Sequence, residues 1–96
     1  MMPENRPDRD VSVILPTYNE RENIGPLIRE VFEHTPPTTE VIVVDDNSPD
    51  GTWQVVEEMQ KDLPNLYLMR RIDKRGLASA LRDGIAASKG RIIVWS

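Results

Sequence analysis

The sequence predicts an α/β fold in which a doubly wound, mainly parallel sheet is built in the order β-α-β-α-β-α-β. Three observations lead there. Four short apolar runs rich in β-branched residues recur along the chain, at 11–16, 40–46, 66–70 and 91–96. The segments between them place apolar residues at the three- and four-residue spacing of a helix with one buried face. The first, second and fourth runs are nearly continuous in apolar character, as strands covered on both faces by helices are. Right-handed crossovers between such strands give a parallel sheet wound in two directions.

Val11–Pro16 is the first strand, and Thr17–Glu22 reads as a shaped loop. In the first helix Ile24, Leu27, Ile28, Val31 and Phe32 form the buried stripe. Asn19 with Glu22 resembles a capping box, but a helix starting there holds Pro26 in its interior at a cost of roughly 3 kcal/mol. A start at Asn23 puts Pro26 in the first turn, where its missing N–H is harmless, and is the expected boundary. His34 closes this helix, where a positive charge suits the dipole; with no second His and no Cys nearby it reads as structural. Glu40–Asp46 is the second strand. Ser48-Pro49-Asp50-Gly51 then turns the chain, with Asp50 as the cap of a second helix that buries Val55, Val56, Met59 and Leu63. Leu66–Arg70 is the third strand. The third helix carries Leu77, Ala80, Leu81, Gly84, Ile85 and Ser88 on one stripe and stops at Gly90. Gly84 costs about 1 kcal/mol relative to Ala, which predicts a close approach of its backbone to the sheet. Arg91–Ser96 is the fourth strand, with no turn or cap after it, so 11–96 reads as a half-domain behind a disordered lead-in at 1–10.

A chain of 96 residues buries only about 60–65% of its unfolded surface, so its stability is marginal without a partner or more sequence. A net charge of −4 argues against a general nucleic-acid binder, which needs a basic face to displace counterions. The absence of cysteine excludes disulfides, zinc-thiolate sites and thiol catalysis. The polar N-terminus lacks the apolar stretch of a signal peptide, and no run approaches the ~18 apolar residues of a membrane span. A cytoplasmic location is expected.

Open parallel sheets bind ligands outside the carboxyl ends of their strands. Two loops there are dense in polar groups: Pro16-Thr17-Tyr18-Asn19-Glu20 and Asp45-Asp46-Asn47-Ser48-Pro49-Asp50-Gly51-Thr52. Neither Gly-x-Gly-x-x-Gly nor Gly-x-x-x-x-Gly-Lys-Ser/Thr is present, which argues against a dinucleotide-binding oxidoreductase and a P-loop enzyme. A nucleoside could instead be gripped by the Tyr18 ring, with Asp46 accepting from a base N–H and Glu20 serving the ribose or base edge. Plainer readings stand beside these. Asp45 and Asp46 also suit a turn and a helix entry, Tyr18 a packed loop aromatic, and Lys74 and Arg75 solvated charges. Asp50-Gly51 reads as structural, and Trp53, Trp95, Met59 and Met69 as packing residues.

The blocks VSVILPTYNERENIGPLI, EVIVVDDNSPDGT and KRGLASALRDGIAASKGRIIVWS resemble the opening of family 2 glycosyltransferases. They are most similar to the polyprenyl-phosphate sugar transferases, dolichol-phosphate mannose synthases among them, and the resemblance covers 10–96. It implies a Rossmann-like nucleotide-binding half of a GT-A fold. It further implies a GDP-mannose or UDP-glucose type donor, a polyprenyl (dolichyl) phosphate acceptor, and Mg2+ or Mn2+. By position Pro16, Thr17, Tyr18 and Glu20 match the family's nucleoside loop and Asp46 its base-contacting acid. Asp45 fits a supporting role, and Lys74, Arg75 and Gly76 fall near the donor phosphates. The family's metal-holding Asp-x-Asp follows the fourth strand, so no metal ligand is expected within these residues and no catalytic residue is assigned; transfer by this chain alone is not expected. The parent enzyme is expected at the cytoplasmic face of a membrane, and the bare last strand is an expected site of self-association. The rivals are a polysaccharide-extending family 2 enzyme, a non-catalytic nucleotide-binding or assembly module, and a phospho-acceptor regulatory domain, which wants a late-strand Lys this chain lacks.

Overall fold

The computed structural model describes residues 8–73 and 75–94. The expectations for Lys74, Trp95 and the first seven residues lie outside them. Seven elements follow in the anticipated order: β1 (Val11–Thr17), α1 (Arg21–Glu33), β2 (Thr39–Asp45), α2 (Thr52–Gln60), β3 (Leu66–Arg70), α3 (Leu77–Ala87) and β4 (Arg91–Val94). All pairings are parallel, in the order β3-β2-β1-β4, with Val13 opposite both Val41 and Ile93, and Val41 opposite Leu66. The chain winds from β1 outward through β2 to β3, then returns to the other side of β1 as β4. The winding therefore reverses beside β1, where such sheets open a crevice.

Alternate residues of each strand face opposite layers. Val11, Val13, Leu15, Val41, Val43, Leu66 and Leu68 pack against Ile24, Ile28 and Val31 of α1 and Val56 of α2. Ile14, Ile42, Val44 and Tyr67 face the other way and meet Ala80 of α3. Fully burying one such aliphatic side chain is worth roughly 1.5–3 kcal/mol, so both layers hold the sheet. Gly84 makes the predicted close approach: a Cβ there would lie 2.6 Å from Ile14 Cγ2 and 3.2 Å from Val44 Cγ2.

Several boundaries differ from expectation. α1 begins at Arg21, not Asn23, and carries Pro26 inside it. Contacts from the next loop offset this cost. Asn19 N donates to Ser48 Oγ at 2.9 Å, Glu20 N to Thr52 Oγ1 at 2.9 Å, and Arg21 N to Asp50 Oδ2 at 3.2 Å. These supply acceptors that a helix start otherwise lacks. β1 runs on to Thr17, and β2 starts at Thr39 and stops at Asp45, leaving Asp46 in a loop. α2 ends at Gln60, so Leu63 joins the core rim from the following turn. On α3 only Ala80 and Gly84 are buried, while Leu77 and Ile85 are exposed. The helix lies over β1 and β2 through its small residues, and the flanks of the stripe fall outside that contact. β4 is not covered as a central strand: Ile92, Ile93 and Val94 are 41–47% exposed, because β4 pairs with β1 alone among the described residues.

At the amino end of the sheet, Arg9 and Asp10 already engage the fold, through Arg9 Nη2 to the Tyr67 hydroxyl (3.3 Å) and Thr38 Oγ1 to Asp10 Oδ2 (2.8 Å). Glu40 is fully buried there and accepts from Ser12 Oγ at 2.6 Å and from Lys89 N at 2.9 Å. It pins the α3–β4 turn to β1 and β2. No helix among the described residues is long and apolar enough to cross a membrane.

Candidate functional site

At the carboxyl end of β1, beside the point where the winding reverses, Pro16, Thr17, Tyr18 and Asp46 line a cleft of about 290 Å³ with Arg75, Gly76, Leu77 and Ala80. Tyr18 and Asp46, 28 residues apart in sequence, thus share one concavity. A larger hollow of about 740 Å³ lies between α1 and α2, lined by Arg21, Pro26, Asp50 and Met59 among others. It is a shallow furrow between two helices, away from the reversal point, and gathers none of the expected residues.

Asp46 forms the buried end of the cleft. Its Oδ1 accepts Arg71 Nε at 2.6 Å, and its Oδ2 accepts Arg71 Nη2 at 3.0 Å and Gly76 N at 3.1 Å. Arg71 is only 5% exposed. Its Nη1 donates to Ser79 Oγ (2.6 Å) and Asp83 Oδ2 (3.0 Å), its Nη2 also to Gly76 O (3.2 Å), and its main-chain N to Asp45 O (2.8 Å). The hydrogen bonds from its guanidinium to Asp46 raise its pKa above the ordinary value; burial opposes this and Asp83 adds to it. Arg71 was not among the residues expected at the site. A signal existed in Arg70-Arg71 at the end of a strand, where successive side chains take opposite faces. Arg70 goes outward, its guanidinium 3.8 Å from the Trp53 ring centroid and bonded to Asn47 Oδ1 at 2.8 and 3.1 Å. Arg71 must therefore turn in.

Asp45 does not line the cleft. It is fully buried and accepts Thr17 Oγ1 at 2.7 Å, Ser48 N at 2.9 Å and Ser48 Oγ at 2.6 Å. It latches the two loops together, and it turns the Thr17 hydroxyl inward to itself. Tyr18 is 44% exposed, and the Arg75 guanidinium stands 5.4 Å from its ring centroid. Gly76 holds φ at +110°, a conformation costly for any side chain, and its carbonyl also receives Ala80 N of α3 at 3.0 Å. Glu20 is not brought to the cleft. It is the N-cap residue of α1 and lines an adjoining hollow with Asn23 and Leu27, whose Pro16 and Thr17 wall is shared with the cleft.

The residues present do not fit a divalent ion. Asp45 and Asp46 each receive three protein hydrogen bonds, and no group of three or more His, Cys, Asp or Glu among the described residues is placed to hold a metal. The cleft offers an aromatic face, an ionised acceptor and a nearby guanidinium. These are the means to hold a flat, hydrogen-bonding, anionic ligand.

The model of glycosyl transferase family 2 matches residues 12–96. The dolichol-phosphate mannosyltransferase of Pyrococcus furiosus is 40% identical over 85 residues, covering 88% of this chain and 24% of that enzyme. The structure of the mannosyltransferase PcManGT from Pyrobaculum calidifontis, in complex with GDP-Man and Mn2+, superposes with a TM-score of 0.75 at 34% identity, over 84% of this chain and 25% of that one. S. aureus TarS 1-349 in complex with UDP-GlcNAc gives 0.76 at 31% identity, over 88% and 25%. The chain spans about a quarter of the length of these proteins.

Proposed function

Because this chain belongs to glycosyl transferase family 2, we propose that its cleft seats the nucleoside of a sugar-nucleotide donor. The observation that carries this reading is the shared cleft of Tyr18 and Asp46 beside the reversal point of the sheet. The base lies against the Tyr18 ring, and the Asp46 carboxylate accepts from its ring N–H. Pro16 and Thr17 form the floor. Arg75 and Gly76, with Lys74 beside them in sequence, face the diphosphate. Glu20 serves the ribose from the α1 side, and Asp45 keeps the two loops in place.

GDP-mannose is the donor favoured by the mannosyltransferase relative and by the complex with GDP-Man. The UDP-GlcNAc complex supports a UDP-sugar as the second reading. In the whole protein the acceptor is a polyprenyl phosphate at a cytoplasmic membrane face, and the sugar moves in one displacement at its anomeric carbon. A phosphate oxygen is already ionised, so that step needs no strong general base. Mg2+ or Mn2+ is held, in this reading, by residues other than the described ones. A second copy of the chain pairs along the free edge of β4.

Calorimetric titration with GDP-mannose, UDP-glucose, GDP and UDP tests the donor reading. Saturable binding is expected, weakened about five- to 150-fold in Tyr18→Ala, since base stacking is worth ~1–3 kcal/mol. Absence of saturable binding, or equal binding by Tyr18→Ala, overturns it.

A further inference from the structure

We propose that Arg71 is a positioning residue for base selection, fixing the Asp46 carboxylate so that one acceptor position alone is left for the ligand. The inference rests on the reading that the cleft seats a nucleoside. A carboxylate has about four lone-pair positions. Arg71 Nη2 and Gly76 N occupy both on Oδ2, and Arg71 Nε occupies one on Oδ1. The fork contact fixes the plane of the carboxylate as well as its charge. Arg71 is itself fixed by Ser79 and Asp83 of α3 and by the Gly76 carbonyl, so its guanidinium has no freedom to let Asp46 turn.

A held, ionised acceptor discriminates between bases by one atom. Guanine and uracil present a ring N–H on their pairing edge. Adenine and cytosine present a ring nitrogen lone pair in the same place, which the carboxylate repels. An Asp46 free to rotate could instead meet the exocyclic amino group of adenine or cytosine, and the discrimination would fade. Arg71 thus sets the ratio of affinities between bases, which is separate from affinity itself.

The test measures Kd by calorimetry for GDP against ADP and for UDP against CDP, pairs matched in ring size, with circular dichroism confirming the fold of each variant. The parent chain is expected to prefer the N–H-bearing member by roughly ten- to a hundredfold, as one hydrogen bond to a charged group allows. In Arg71→Met that ratio is expected to collapse toward one while weak diphosphate binding persists. Arg71→Lys, which keeps the charge but not the fork, is expected to restore only part of it. Should Arg71→Met not fold, Ser79→Ala with Asp83→Ala removes both acceptors of Nη1 and leaves Asp46 paired, and a severalfold drop in the ratio is expected. If the variants bind more weakly with the ratio unchanged, Arg71 is structural only and the proposal is overturned. If the parent chain binds with no preference within either pair, the base-reading role of Asp46 has failed first.

Discussion

Asp50 serves two helices with one carboxylate. Oδ1 receives Thr52 N at 2.9 Å together with the Thr52 hydroxyl, and Oδ2 receives Arg21 N at 3.2 Å. Its pKa is lowered from 3.8, first by the Thr52 hydroxyl and then by the Arg21 and Thr52 amides against a desolvation that raises it. A carboxylate with a lowered folded pKa contributes stability that is complete above its unfolded value and lost as the pH falls through the folded one. Asp50→Ala should therefore melt below the parent chain at pH 7, and the gap should close as the pH drops below 3.8. Melting curves from pH 7 to pH 3 check this, and a constant gap would remove the carboxylate from the explanation. An acceptor at Asp50 was legible in the sequence because Asp before Gly at a helix start is a local signal, but the cap position itself falls on Gly51, at φ +95°, with Asp50 one residue before it. The pairing of Tyr18 with Asp46 was legible because sheet topology puts both at one edge. For Arg71 the paired arginines at a strand end signalled one inward side chain, but its carboxylate partners lie 25 and 12 residues away and only the folded chain brings them together.

α1 and α3 show what decides an element. The helix rules favoured a start at Asn23, and they lost because Ser48, Asp50 and Thr52 offer acceptors from another loop. No local pattern records that. On α3 the sequence did speak: a glycine inside a helix is unfavourable unless space demands it. Gly84→Ala tests this balance. Helix propensity alone favours Ala by about 1 kcal/mol. A Cβ 2.6 Å from Ile14 Cγ2 forces buried side chains to shift, at typically 1–3 kcal/mol. The net expectation is destabilisation of up to about 2 kcal/mol, read from urea midpoints at unchanged slope. A more stable variant would show that α3 does not need its close contact with β1. The exposed Leu77 and Ile85 escaped the sequence because periodicity gives the direction of a stripe and not its buried width.

Across the whole molecule, element order and the parallel, doubly wound sheet followed from apolar runs and the handedness of crossovers, while the strand order β3-β2-β1-β4 and the exposure of β4 did not. Its sequence, Arg-Ile-Ile-Val, is as apolar as that of a central strand, and only neighbours make a strand central. An unpaired apolar edge invites another strand. Sedimentation is expected to show association of the parent chain that grows with concentration and is abolished by Ile93→Lys, a charge on the bare face. A parent chain monomeric throughout removes the pairing proposed for β4. The latch at Asp45 has a consequence on this same scale. It closes over Thr17 and Ser48 at the ends of adjacent strands, so the seat above it exists only while those strands remain aligned. A molecule resting there cannot steady its own loop in isolation. By mass action it shifts the folding equilibrium of the entire sheet, about 2.7 kcal/mol at a hundred times its Kd, and occupancy becomes a property of the fold.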